Sequence, residues 1–252
     1  LNSNHAAQIR NALQAGKHVL CEKPIVLNAR DAAELYALAE KNKLVLLEGL
    51  MYRFSPQIVK VKELIAAGTI SSVKSVQVDF SFLLHDLENR TARATRQGGG
   101  GALNDLGCYG IDFIQSILKC AQTDILKLDA HTVRDSEVDL TNQVQISFKN
   151  GTTATLRCSI EMPSLNRWQV HGTKGSIAAL RYDPQGSEAT PLYVVNEDSE
   201  ASLISVEQGS AFQDEFRNFA AAIRGEETPF ISAAESIENI RVADAIRAKW
   251  NA

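Results

Sequence analysis

The sequence predicts two unlike parts, an α/β segment followed by an α+β domain. Two short apolar runs separated by a helical period indicate a parallel βαβ unit within residues 1–50. Beyond residue 50, apolar and polar residues alternate in most of the predicted strands. That pattern is typical of a mostly antiparallel open sheet with helices on one face. We therefore predict a first domain over residues 1–50 and a second over residues 51–252.

In the first part, the predicted order is helix, strand, helix, strand. The first helix covers residues 5–15 and ends at a glycine, and residues 18–21 form the first strand. Asn28 caps the second helix, and the continuous apolar run 44–47 indicates a strand covered on both faces. A two-stranded parallel unit is not stable alone. We expect this segment to be the second half of a larger sheet whose first half is absent.

The second part begins with a predicted helix over residues 55–67, and alternation over residues 76–82 then begins the sheet. The Asn150-Gly151 pair between two alternating runs predicts a hairpin. Further strands are expected within residues 168–180 and 192–195.

Two helices close the chain. The first places four apolar residues on one stripe: Phe212, Phe216, Phe219 and Ile223. The second begins with a capping box formed by Ser232 and Glu235. We expect this last helix, residues 232–250, to pack back on the first domain.

Composition argues against several classes of protein. The net charge of -4 does not favour a nucleic-acid or acidic-membrane partner. No apolar run reaches the ~20 residues that span a bilayer. The 4 cysteines show no metal-ligand spacing, which favours reduced thiols in a cytoplasmic protein over disulfides or zinc. We therefore predict no metal site, no nucleic-acid partner and no membrane partner.

Glu22, Lys23 and Pro24 follow the first predicted strand. The carboxyl end of a strand is where open α/β sheets place their sites. Lys23 at the mouth of a cleft would hold hydroxyls and favour the deprotonated form of a neighbouring acid. A cis peptide bond before Pro24 is compatible with this turn. The alternative is a surface ion pair at a strand end, which the spacing alone favours.

Asp105, Tyr109 and Asp112 are spaced to share one face of a helix. A tyrosine needs a nearby cation to accept a proton near neutral pH, and Lys23 is the candidate. A solvated polar face with a half-buried tyrosine explains the same spacing equally well.

Glycines surround this helix. Gly107 and Gly110 lie within it and indicate that another backbone or a ligand comes close. The glycine run 98–101 would let a helix N-terminus meet a ligand, or would form a flexible loop. The polar stretch 85–97 is expected to shape a substrate pocket.

Together, these runs resemble the glucose–fructose oxidoreductase, inositol dehydrogenase and dihydrodiol dehydrogenase family. The resemblance rests on five runs in the family's order: Asn2-x-x-His5 and residues 15–24, 52–56, 100–112 and 212–219. It implies that residues 1–50 are the C-terminal half of a Rossmann dinucleotide-binding domain and that residues 51–252 form a substrate and dimerisation domain. It also implies NAD or NADP as cofactor, oxidation or reduction of CH–OH groups in sugars, cyclitols or trans-dihydrodiols, and a homodimer through the open sheet face.

The resemblance also implies roles for particular residues. Glu22, Lys23, Asn2, His5 and Arg53 would line the cofactor cleft. Lys23, Asp105 and Tyr109 would be the catalytic residues, with Tyr109 as the acid/base, and Asp112 would join them in binding the substrate. A lysine-stabilised tyrosinate would remove the hydroxyl proton while hydride leaves the same carbon.

One part of the family pattern does not appear. None of the residues before Glu22 forms the Gly-x-Gly-x-x-Gly turn that holds the pyrophosphate. We therefore expect this chain to bind dinucleotide weakly or not at all, and to be inactive alone. The alternative to an enzyme is a sugar-sensing or scaffold remnant that keeps the fold.

Overall fold

The first segment is a small parallel βαβ unit in the computed structural model, which describes residues 1–85 and 91–250. Its elements are α1 (His5–Gln14), β1 (Val19–Glu22), α2 (Ala29–Lys41) and β2 (Leu46–Gly49). β1 and β2 pair in parallel, with Val19 opposite Leu46. The predicted helix, strand, helix, strand order is confirmed.

The ends of α2 show how the sequence sets this geometry. The Asn28 side chain accepts the N–H of Asp31, which confirms the predicted cap. At the other end, the Leu44 N–H donates to the Ala39 carbonyl and closes the helix. This bond keeps Leu44 out of the sheet, so β2 begins at Leu46 rather than at the predicted residue 44.

The second segment contains one large sheet in the described residues. Its strands are β3 (Val73–Leu83), β4 (Ile125–Arg134), β5 (Asp139–Phe148), β6 (Thr153–Ser159), β7 (Glu161–Gly172), β8 (Gly175–Ala179), β9 (Leu192–Asn196) and β10 (Ala201–Ile204). The spatial order is β10-β9-β8-β7-β3-β6-β5-β4, and only β3 and β6 pair in parallel. The mostly antiparallel open sheet is therefore confirmed. The predicted hairpin joins β5 to β6, and Gly151 takes a positive φ of 83° at its turn.

Four helices accompany the sheet in this part of the structure: α3 (Pro56–Ala66), α4 (Cys108–Leu118), α5 (Ala211–Ile223) and α6 (Ala233–Arg247). α4 packs on the sheet at its glycines. A Cβ on Gly110 would lie 2.4 Å from Leu156 Cδ1, and one on Gly107 would lie 3.2 Å from Cys158 Sγ. Side chains of the sheet therefore lie close to these two glycines. The sequence had predicted that a second backbone or a ligand would lie there.

α6 joins the two segments. Its predicted capping box is present, with Ser232 and Glu235 bonding reciprocally. Further along, Asp244 accepts the Ala29 N–H at 3.0 Å and Arg247 donates to the Leu27 carbonyl at 3.1 Å. These bonds attach the last helix to the start of α2. The domain boundary at residue 50 stays a prediction.

α5 exposes its aromatic stripe. Phe212 and Phe216 are 39% and 59% exposed, while Glu215 and Asn218 on the adjacent side of the helix are buried. α5 packs on the turn Met51–Phe54 through this small and polar side. Of the stripe that the spacing identified, Phe212, Phe216 and Ile223 are thus exposed, and Phe219 packs partly buried against the core. No helix in residues 1–85 and 91–250 has the length and apolar character needed to cross a bilayer.

Candidate active site

A cleft of about 640 Å³ lies between the carboxyl end of β1 and the start of α4. Five of the residues that the sequence singled out line it: Asn2, Glu22, Lys23, Asp105 and Tyr109. The structure thus brings together side chains from three distant parts of the chain. Residues 86–90, within the polar stretch expected to shape this pocket, lie outside the described residues.

Lys23 is held at two atoms of Asp105. Its Nζ donates to the Asp105 carbonyl oxygen at 2.5 Å and to Oδ1 at 2.9 Å, and both side chains are 12% exposed. Burial alone would lower the pKa of Lys23, but the neighbouring Cys108, Tyr109 and Asp105 raise it above its ordinary value. Lys23 is therefore a fixed cation of the cleft and not a proton donor near neutral pH. The Lys23–Pro24 peptide bond is cis.

A π-helical turn, Leu103–Gly107, presents Asp105 to the lysine. A π-helical turn interrupts the regular α-helical ladder, and such turns are frequent at functional sites. Within this turn, the Asp105 carbonyl accepts the hydrogen bond from Lys23, which lies outside the helix. The sequence contains no clear signal for this turn. The prediction for this helix assumes the regular α-helical period throughout.

The glycine run before this turn is fixed by three polar side chains. Asn2 and Asn104 both donate to the Gly99 carbonyl, at 3.0 and 3.1 Å. The Asp139 carboxylate accepts the Leu103 N–H at 2.7 Å. Gly101 has a φ of 105°, and a Cβ there would lie 2.0 Å from Asp139 Oδ1. The run is thus a tightly held loop and not the flexible one that was the alternative.

Tyr109 lies beside the lysine, half-buried at the cleft wall. Lys23 Nζ is 4.7 Å from the centre of its ring, and the Tyr52 ring meets it edge-on at 5.6 Å. Burial raises the pKa of Tyr109 above its ordinary value, and the Lys23 charge offsets this only in part. The phenol is therefore protonated near neutral pH. The predicted acid/base role of Tyr109 stays a prediction.

Arg53 and Asp112 lie outside the cleft. Both are buried, with Arg53 Nε 3.6 Å from Asp112 Oδ2. Asp112 also accepts from Tyr52 Oη and, at 2.7 Å, from Asn239 of α6. Asp112 is three residues past Tyr109, so its direction falls about 60° short of a full turn from that of Tyr109. The predicted common face of Asp105 and Asp112 assumed a regular α-helix between them, and the π-helical turn interrupts that regular period.

The last predicted cofactor residue, His5, contacts the turn after Lys23. Its Nδ1 lies 3.0 Å from the Pro24 carbonyl oxygen, and its ring does not line the cleft. Two residues that the sequence did not single out do line the cleft, Phe82 and Arg93. Arg93 Nε lies 3.6 Å from Asp105 Oδ2. The only indication of Arg93 in the sequence is its position in the polar stretch 85–97.

Comparison with known proteins identifies the class. Residues 1–50 match an oxidoreductase family with an NAD-binding Rossmann fold, and residues 58–178 match the GFO/IDH/MocA C-terminal domain. The fold is thus that of an NAD(P)-dependent oxidoreductase with a separate sheet domain. The chain belongs to the GFO/IDH/MocA family.

Several characterised proteins are similar along most of this chain. D-xylose 1-dehydrogenase (NADP(+)) 2 of Haloferax volcanii is 29% identical over 255 residues, 97% of this chain and 74% of that protein. Trans-1,2-dihydrobenzene-1,2-diol dehydrogenase of Bos taurus is 34% identical over 200 residues, 79% of this chain and 57% of that protein. This chain thus spans about three quarters of the first relative and just over half of the second.

Solved structures share the fold. KijD10, a 3-ketoreductase from Actinomadura kijaniata in complex with NADP and TDP-benzene, superposes with a TM-score of 0.86 at 27% identity. The match covers 98% of this chain and 75% of that one. Aldose-aldose oxidoreductase from Caulobacter crescentus superposes with a TM-score of 0.88 at 23% identity and shows the fold alone.

Proposed function

We propose that this protein transfers hydride between NAD or NADP and a CH–OH carbon of a small polyol, such as a sugar, a cyclitol or a trans-dihydrodiol. The observation that carries the proposal is the cluster of Lys23, Asp105 and Tyr109 in one cleft at the end of a parallel strand. The relatives that act on xylose and on a dihydrodiol support the substrate class.

The residues present fit the ribose side of a nicotinamide nucleotide. Glu22 is exposed at the end of β1 and lines the cleft with Asn2. A carboxylate accepts hydrogen bonds from ribose hydroxyls, and an amide side chain pairs with either donors or acceptors. When bound, the nicotinamide gives or accepts the hydride. Glu22 and Asn2 would hold it at the cleft, together with Lys23.

The substrate oxygen has two open partners in the cleft. An ammonium group has three N–H donors, and Asp105 takes two of those on Lys23. The third is free for a substrate oxygen. Asp105 Oδ2 makes no hydrogen bond and has an ion-pair contact with Arg93 Nε at 3.6 Å, so it can still accept a bond from a neighbouring hydroxyl. A vicinal diol satisfies both groups, which favours polyols over simple alcohols.

Tyr109 supplies the proton. In the direction of reduction, its neutral phenol donates a proton to the carbonyl oxygen as hydride reaches the carbon, and the Lys23 charge stabilises the phenolate that remains. In oxidation the phenolate takes that proton back. Because burial raises the pKa of Tyr109, oxidation should be faster at alkaline pH.

Arg53 and Asp112 are assigned a different task. They lie behind Tyr52, and Asp112 accepts the Tyr52 hydroxyl. We assign to them the positioning of Tyr52 against Tyr109, without contact to cofactor or substrate. His5 is likewise assigned to holding the turn after Lys23.

The proposal is tested by turnover and binding together. The chain is assayed with NAD and NADP against D-xylose, myo-inositol and trans-1,2-dihydrobenzene-1,2-diol, and NADPH binding is measured by fluorescence titration. Turnover with at least one polyol, and its loss in Lys23→Met, would support the proposal and would contradict the expectation, drawn from the missing glycine turn, that the chain is inactive alone. Lys17→Met, at an exposed position, is the matched control. Polyol binding without turnover in any pairing would favour the sensor alternative.

The open sheet face is the proposed dimer interface. This face is polar, and Asp79 pairs there with Arg157 and Arg167, each at 2.8 Å. We expect sedimentation to give the mass of two chains at micromolar concentration, and a monomeric mass would contradict the dimer. A cytoplasmic location is proposed on the free state of Cys21, Cys108, Cys120 and Cys158.

A further inference from the structure

A second cavity lies among α3, α4 and α6, with a volume of about 1010 Å³. It is separate from the cleft, since the described residues that line the two differ throughout. Ile65, Ile117 and Phe230 give it apolar walls. The Phe230 ring is 44% exposed and packs on Phe54 with 4.8 Å between ring centres. The cavity therefore offers an apolar surface with an aromatic rim.

Positive side chains outnumber carboxylates around it. The cations are Arg53, Lys62, Lys119 and Arg241, and the carboxylates are Asp112, Glu235 and Glu238. All three carboxylates are already engaged: Arg53 pairs with Asp112 and Glu235, and Arg241 pairs with Glu238. Within the described residues, Lys62 and Lys119 have no ion-pair partner.

Lys62 is the less exposed of these two lysines. Its Nζ lies 5.8 Å from the centre of the Phe230 ring, and Arg53 lies over the same ring at 5.9 Å. Burial, reinforced by the Arg53 charge, lowers the pKa of Lys62 to about 8, although Asp112 and Glu235 act in the opposite sense. An unpaired, partly desolvated cation is costly, and an incoming anion would offset that cost.

Buried donors at the same wall also lack acceptors. The Arg53 side chain is 3% exposed, and its Nη1 has no hydrogen-bond partner. Gln115 Nε2, one turn after Asp112 on α4, is buried without a partner as well. Buried polar groups are normally satisfied. An excess of donors over acceptors beside an apolar wall is the arrangement that recognises an organic anion.

We propose that this cavity binds a small organic carboxylate. Its carboxylate would lie between Lys62 and Arg53, and its apolar body would pack on Phe230 and Ile117. The cavity shares no lining residue with the cleft, and its only link to the hydride-transfer proposal is through Arg53 and Asp112, which are assigned to positioning Tyr52.

The experiment uses benzoate as the probe, with benzyl alcohol as its uncharged counterpart. Binding to the full chain is measured by isothermal titration calorimetry and by ligand-observed NMR. We expect benzoate to bind with benzyl alcohol at least about tenfold weaker, since hydrogen bonds to charged groups are worth about 1.5–3 kcal/mol. Lys62→Met and Phe230→Ala should each weaken benzoate binding by a similar factor.

Two controls keep the test specific. Lys60→Met removes a lysine of the same helix that is exposed and pairs with Glu63 at 3.1 Å, and it should bind benzoate like the unaltered chain. Lys23→Met, in the cleft, should do the same. The proposal is overturned if benzoate does not bind, if Lys60→Met weakens binding as much as Lys62→Met, or if Lys23→Met abolishes binding.

Discussion

Lys23 and Asp105 are 82 residues apart in the chain, and their contact joins the two segments of the fold. One ammonium group donates to both the main-chain and the side-chain oxygen of the same residue. The main-chain bond does not require a carboxylate, whereas the side-chain bond uses one. Asp105→Asn therefore changes the side-chain bond and leaves the main-chain acceptor in place.

Tyr109→Phe should lower turnover by about a hundredfold or more, in the range that general acid–base groups contribute. Cofactor binding should change little, because the ring that Lys23 contacts remains. The measurements are kcat with the best polyol and NADPH fluorescence titration. Tyr193→Phe, on β9 and 38% exposed, is the control. Unchanged turnover in Tyr109→Phe would remove the role assigned to this residue.

Asp105→Asn should lower the pKa of Lys23, because the carboxylate is one of the charges that raise it. Lys23 would then lose its proton at a lower pH than in the unaltered chain. NMR of 13C-labelled lysine follows this titration directly. The rate of carbonyl reduction should also begin to fall at a lower alkaline pH. Asp129→Asn, which removes an exposed partner of Lys127, should leave both curves in place.

Glu48→Gln should stabilise the protein at pH 8 and not at pH 4.5. Glu48 is 3% exposed, and burial raises its pKa from 4.5 to about 7. Because the folded pKa is the higher one, the free energy of unfolding falls as pH rises from about 4.5 to 7 and is level above that. The loss approaches about 3 kcal/mol, at about 1.4 kcal/mol for each pH unit between the two pKa values.

Urea unfolding at the two pH values measures the Glu48 effect. Glutamine keeps a carbonyl oxygen that can accept the Ile25 N–H, which Glu48 accepts at 3.0 Å. The control is Glu40→Gln, at an exposed position on α2, the helix before β2. It should change the free energy of unfolding equally at both pH values. A gain that does not grow with pH would show that the pKa of Glu48 is not raised in the folded protein.

Gly110→Ala should destabilise the protein by about 1–3 kcal/mol, because the added methyl group overpacks the core. The higher helix propensity of alanine offsets roughly 1 kcal/mol of that cost. The added Cβ would lie 2.4 Å from Leu156 Cδ1 and 3.3 Å from Val78 Cγ1. If this contact is the cause, the substitution should cost less in a Leu156→Ala background. Equal costs in both backgrounds, measured by urea unfolding, would refute the packing explanation.

Local features of the fold were predictable from the sequence. The Asn28 cap, the Ser232–Glu235 capping box and the Asn150-Gly151 hairpin each depend on residues within a few positions of one another. Their side chains and backbone preferences act over that distance, so a single sequence contains the information. The alternation in β3, β5 and β6 was predictable for the same reason, since one face of each of these strands is buried.

The membership of the site was only partly predictable. Motif spacing brought Lys23, Asp105 and Tyr109 into one hypothesis. It also included Asp112 and Arg53, which the structure buries behind Tyr52, and it did not include Arg93. Which side of a helix faces a cleft depends on its phase, and a single π-helical turn changes that phase.

The sequence by itself thus determined the element order, the caps and turns, and the residue types available for chemistry. Only the tertiary structure decided which of those residues share a cleft, and that Tyr109 is protonated beside a charged Lys23. The physical reason is that burial, helix phase and contacts across 82 residues arise from the packing of whole elements. No short stretch of sequence specifies that packing.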